Sequence, residues 1–158
     1  PGESNSDLFG GNSNWRGPIW MPTNYTLLQA IEKFHRFLGD DYKVRVPCMN
    51  DKEMTLKDIS NLIADRLVNI FRRDASGRVP ALPVNSPFQH DPHWKDLLLF
   101  NEYFHGETGL GLGAMHQTGW TGLVANLVQR KYRGTIPKYW QQQNGDTQPV
   151  SALEKVPA

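Results

Sequence analysis

Between Asp91 and Trp120 the chain reads DPHWKDLLLFNEYFHGETGLGLGAMHQTGW, and no other stretch restricts the fold as strongly. Glycines at 106, 109, 111 and 113 allow tight turns and a close approach of backbone to a neighbour or ligand. The same thirty residues hold Glu102 and Glu107, His93, His105 and His116, and five aromatic rings. An apolar run, Leu97 to Phe100, leads directly into Asn101-Glu102-Tyr103. A glutamate behind a buried apolar segment is expected to be held in place with a partly desolvated carboxyl, which is how an acid or base acquires a tuned pKa. The stretch reads as one wall of a pocket, with Glu102 its leading residue.

Helical periodicity appears on either side of this wall. Leu27, Leu28, Ile31, Phe34, Phe37 and Leu38 form an apolar face that predicts a helix from Pro22 or Thr23 to Leu38, ended by Gly39. Asn24, at the mouth of this helix, is read as a cap or a ligand-binding amide. Residues 40–54 read as a connection with a short extended piece at Lys43–Val46. Thr55 and Asp58 have capping-box spacing for a second helix running to about Arg73, with Ile59, Leu62, Ile63, Leu67, Ile70 and Phe71 inward. Three prolines between Arg78 and His90 predict an ordered loop. A third helix is predicted over roughly Gly119–Arg133, with Leu123, Val124, Leu127 and Val128 inward. Residues 1–133 are taken as one folded portion, and the polar tail 134–158 as extended and largely disordered.

Composition removes several function classes. Seventeen basic against sixteen acidic residues predict no nucleic-acid partner on electrostatic grounds. No apolar run approaches the ~18 residues of a membrane segment. The single Cys48 fits a reducing compartment and leans the expectation towards the cytoplasm. Among chemistries, His90, Asp91 and His93, or His105, Glu107 and His116, offer metal-ligand types, but in no sharp spacing, and no metal is predicted. Gly109-Leu110-Gly111-Leu112-Gly113-Ala114 has the wrong glycine spacing for a dinucleotide loop and no strand before it, so no cofactor is predicted. Cys48 has no nearby histidine, and no G-x-S-x-G elbow exists. What remains is carboxylate chemistry of the kind that breaks glycosidic bonds, with one carboxyl as acid and another as base or nucleophile. Trp15-Arg16-Gly17-Pro18-Ile19-Trp20 supplies flat aromatic faces and guanidinium donors suited to sugar rings and hydroxyls, or a structural turn with a core tryptophan.

Taken together, these motifs resemble the catalytic domain of glycoside hydrolase family 63. The resemblance rests on Asn12 to Trp20 with Asn24, Asp91-Pro92-His93-Trp94, Glu102-Tyr103-Phe104, and Gly111-x-Gly113-Ala114-x-His116-Gln117-Thr118-Gly119-Trp120, in that order over roughly residues 9–130. It implies an all-α fold, the C-terminal part of an (α/α)6 toroid with long loops at the helix mouths. It implies an inverting α-glycosidase that removes terminal α-linked glucose from an oligosaccharide, with Glu102 as the general base. Trp15, Arg16, Gly17, Trp20, Asn24, His93, His116, Gln117 and Trp120 would then be substrate-binding. The family's general acid is an aspartate well upstream of the Trp15–Trp20 motif and has no counterpart in this chain, so the remainder of the catalytic domain is an implied partner. A mannosylglycerate or related α-mannosyl/glucosyl hydrolase, and a non-catalytic carbohydrate-binding module, are the alternatives.

Overall fold

A computed structural model of the chain describes residues 17–133. Trp15, Arg16 and the tail 134–158 lie outside the described residues. In chain order the elements are α1 (Met21–Leu38), β1 (Lys43–Val46), β2 (Lys52–Thr55), α2 (Leu56–Asn69), α3 (Pro87–His90), β3 (Tyr103–Phe104), β4 (Gly111–Leu112), α4 (Thr118–Thr121) and α5 (Val124–Arg133).

The expectation of an all-α toroid is overturned, because the described residues form a mixed α/β unit with two antiparallel two-stranded sheets. The first sheet pairs Lys43 with Thr55 and Val46 with Lys52. Its turn is built on Asn50 and Asp51, both at positive φ (55° and 57°), the conformation these two residues tolerate better than other L residues. Val44 and Met54 face each other on the inner side, so the extended piece predicted at Lys43–Val46 is a strand, and it is paired with β2, which was read as part of the connection. The second sheet pairs Tyr103 with Leu112 and Phe104 with Gly111. Ile19 adds a bridge to the outer side of β3 through Ile19 N–H to Phe104 O (2.8 Å) and Phe104 N–H to Ile19 O (2.9 Å).

The helices begin near their predicted positions, but their faces differ. α1 buries Met21, Tyr25 and Leu28, a stripe at i, i+4 and i+7, against α2 and α5. Leu27, Phe34, Phe37 and Leu38, predicted to face inward, are exposed, Phe37 by 85%. Further along the packed face, Glu32 accepts a hydrogen bond from Ser60 (3.0 Å) and pairs with Arg130 of α5. Burial holds the Arg130 guanidinium below its ordinary pKa. α2 opens on the predicted capping box: Asp58 N–H donates to Thr55 Oγ1 (3.1 Å) and Thr55 N–H to Asp58 Oδ2 (3.3 Å). It ends at Asn69, a turn earlier than predicted, and Ile70 and Phe71 are buried just beyond it. The third predicted helix is interrupted between Thr121 and Val124 into α4 and α5, and Val128 is exposed rather than inward.

The loop between α2 and β3 is ordered by one buried amide. Gln89 accepts from Val79 N–H (3.0 Å) and donates to Val79 O (2.9 Å) and Leu82 O (3.1 Å), so its side chain stands in for a strand partner. Around it, Phe104, Leu28, Leu127, Val68, Phe71 and Leu82 form a single core that joins the helices to the second sheet. No described helix is long and apolar enough to cross a membrane.

Candidate functional site

Glu102 is placed by its own backbone ladder. Its N–H donates to Ala114 O (2.8 Å), and Ala114 N–H donates back to Glu102 Oε2 (3.3 Å). Gly113 makes this closure possible. It sits at φ +66°, and a Cβ there would lie 2.7 Å from Glu102 Oε2 and 2.8 Å from Tyr103 Cε1. Both atoms approach one point, so the carboxylate oxygen and the Tyr103 ring are no more than about 5.5 Å apart. The apolar run ahead of Glu102 is not the buried segment predicted, because Leu97 and Leu98 are each about half exposed. Hydrogen bonding to Ala114, just past β4, rather than a desolvating run, therefore positions the half-buried Glu102.

An aromatic ledge stands beside this carboxylate. Tyr103 stacks on Trp20 with ring centroids 4.6 Å apart, and Trp120 meets Trp20 edge-on at 6.4 Å. Trp20 is only 5% exposed, so one indole face is covered by Tyr103 and it acts as a support within the ledge. Trp120, half-buried on α4, is the more accessible ring. Below the ledge, Thr121 Oγ1 donates to Asn101 O, tying α4 to the residue before Glu102. Gln117 N–H donates to Phe100 O (2.9 Å), and His116 bridges to Phe100, so both residues are anchored by backbone while remaining exposed. The ladder thus brings Glu102, Trp20 and Trp120 into one neighbourhood.

The other predicted site residues that the structure describes make no described contact with Glu102. His93 is exposed in an Asx turn, its N–H donating to Asp91 Oδ1 (2.8 Å), and no described contact carries it to Glu102. Gly17 is exposed at φ 103°. Asn24 lies inside α1 rather than at its cap, and its Nδ2 donates back to Trp20 O (2.8 Å). Its side chain faces a cleft of about 440 Å³ between the helices and the turn after β3. Ile63, Leu67, Ile70 and Pro80 give that cleft an aliphatic floor, and Arg66, Asn69, Glu107 and Thr108 line its polar part. Glu102 does not line it. Sequence reading passed over Tyr103 as a ledge ring and Asn69 and Arg66 as cleft residues. Only the aromatic next to Glu102 left a local signal. Among the described residues no three His, Cys, Asp or Glu side chains converge as metal ligands.

Comparison with known proteins bears on what such a ledge serves. The chain is 43% identical over 130 residues, 81% of its length, to the uncharacterised protein YMR196W of Saccharomyces cerevisiae. Two further relatives are glucosidases. The chain is 27% identical over 130 residues to a probable mannosyl-oligosaccharide glucosidase of Schizosaccharomyces pombe, and 29% identical over 126 residues, 78% of the chain, to the mannosyl-oligosaccharide glucosidase of Saccharomyces cerevisiae. In each case the chain spans 12% of the relative's own length. No protein-family model and no solved structure matches it.

Proposed function

We propose that this chain is a section of a glycoside hydrolase that removes a terminal α-linked glucose from an oligosaccharide, with Glu102 as the carboxylate that activates water. The observation that carries this reading is the likeness of about four-fifths of the chain to two mannosyl-oligosaccharide glucosidases. The geometry is compatible with it: the Glu102 main chain donates to Ala114 O and its carboxylate accepts from Ala114 N–H, beside a tyrosine–tryptophan ledge. In an inverting mechanism a carboxylic acid protonates the leaving oxygen, while Glu102 takes a proton from water attacking the opposite face of the sugar. The acid, an aspartate by resemblance, is supplied from outside these 158 residues. Trp120, His116 and Gln117, and Trp15 and Arg16, which lie outside the described residues, complete the sugar-facing set.

The test is Glu102→Gln in the complete polypeptide that carries these residues. The substitution keeps the shape and removes the base, so hydrolysis falls by about 10²–10⁴-fold while glucoside binding persists. If wild type binds sugar and shows no hydrolysis to lose, the chain belongs to a binding module instead. The isolated 158-residue chain, with one carboxylate of the pair, releases no glucose.

A further inference from the structure

We propose that the cleft over Ile63, Leu67 and Ile70 is a second saccharide site, holding a sugar unit that is not cut. The proposal rests on the hydrolase reading above and adds a place for a remote part of the substrate. Its volume, about 440 Å³, lies within the range of small-ligand pockets. The aliphatic floor suits the C–H face of a pyranose ring. The rim suits its hydroxyls, since carboxamides both donate and accept as hydroxyls do, and a carboxylate accepts from them. Arg66 and Glu107 carry opposite charges at the same opening, which favours a neutral polyhydroxylated ligand over an anion or a cation.

Two of the four polar rim residues are also uncommitted, whereas Thr108 Oγ1 accepts from Leu110 N–H (3.3 Å). Among the described residues neither the exposed Glu107 carboxylate nor the Asn69 carboxamide has a hydrogen-bond partner. Arg66 spends one nitrogen on the Cys48 sulfur at 3.6 Å. The turn that presents Glu107 is nevertheless well defined: the N–H groups of Glu107 and Thr108 both donate to His105 Nδ1 (3.2 and 3.3 Å). The cleft and the ledge share a wall. Ile19 lines the cleft, and Trp20, next in the chain and extended (φ −109°, ψ 122°), turns to Tyr103 and Trp120. Successive side chains of an extended segment point to opposite sides, so one short backbone stretch serves both places.

The experiment compares maltotetraose with an aryl α-glucoside, using wild type, Glu107→Ala and Asn69→Ala in the complete polypeptide. Both side chains are exposed, so neither change threatens folding. With the second site in use, Glu107→Ala raises the KM for maltotetraose roughly tenfold, the loss of one hydrogen bond to a charged group. It raises that KM at least fivefold more than the KM for the aryl glucoside, and Asn69→Ala acts in the same direction. Equal effects on both substrates, or none on either, overturn the proposal. If wild type hydrolyses neither substrate, the hydrolase reading has failed by itself, and calorimetric titration with maltotetraose decides the site. Weaker binding by Glu107→Ala retains the site, and unchanged binding removes it.

Discussion

Glu102 and Glu107 are five residues apart in one glycine-rich stretch, yet they belong to different surroundings. Glu102 is half-buried, clasped by Ala114 N–H and pressed over Gly113 next to a stacked tyrosine. Glu107 sits exposed on a turn at the rim of an aliphatic cleft, its carboxylate bound to nothing among the described residues. The difference comes from β3 and β4. Glu102 immediately precedes the ladder, opposite Ala114, where cross-strand partners fix it, and Glu107 lies in the loop that joins the two strands. Position in the ladder, not residue type, separates a constrained carboxylate from a free one.

The sharpest way to break this comparison is to neutralise each glutamate in turn. Glu102→Gln is expected to lower kcat for an aryl α-glucoside by about 10²–10⁴-fold, measured in the complete polypeptide. Equal losses from Glu102→Gln and Glu107→Gln would erase the distinction between base and rim.

Next in size is Gly113→Ala. The added Cβ meets both Glu102 Oε2 and Tyr103 Cε1 at under 3 Å, and φ +66° is unfavourable for alanine. Moving the carboxylate by a fraction of an ångström or more is expected to reduce kcat by about 100-fold with a smaller change in KM. Gly119→Ala, which meets open space, is the matched control. Similar losses from both substitutions would show that Gly113 does not position Glu102.

A third change acts on the frame rather than on the carboxylate. Thr121→Val removes the buried donor to Asn101 O, at a cost of about 1–3 kcal/mol of stability in denaturant titration. Because Asn101 adjoins Glu102 and does not line the cleft, activity on the aryl glucoside is expected to suffer more than maltotetraose selectivity.

The smallest effect concerns α2, which floors the cleft. Thr55→Ala breaks the capping box and costs about 1 kcal/mol. The hydrogen bond from Thr55 holds the exposed Asp58 carboxyl below its usual range. A depressed carboxylate pKa stabilises the fold above the unfolded value, near 3.8, and that contribution fades as pH falls through the lower folded value. The gap between wild type and Thr55→Ala is therefore expected to narrow below about pH 4 in thermal melts. A constant gap down to pH 2 would remove Asp58 from the account.

Much of the helical frame was legible, because a capping box and a 3.6-residue apolar period are local signals. Thr55, Asp58 and the stripe ending in Leu67 read directly as the start and inner face of a helix. The burial of α1 did not read so easily. Leu27, Phe34 and Phe37 share a face as apolar as Met21, Tyr25 and Leu28, and periodicity cannot say which of two apolar faces a neighbour covers. Met21, Tyr25 and Leu28 are covered on the side where Glu32, one turn on, meets Ser60 and Arg130. The strands were harder still. β3 and β4 are two residues each, too short for any alternation to show, and exist only through pairing with one another and with Ile19.

The sequence alone determined which chemistry was available. It supplies a carboxylate and tryptophans in one order, glycines where a turn must be tight, and likeness to glucosidases that span far more chain. Tertiary structure decided which groups meet. Cross-strand hydrogen bonds put Glu102 against Gly113 and Ala114, and stacking hid Trp20 behind Tyr103. The same ladder turned Ile19 and Glu107 to a separate cleft. The physical reason is that such contacts join residues up to about a hundred positions apart, as Tyr25 OH does with Asn126 (2.8 Å), and no local pattern of residue types records them.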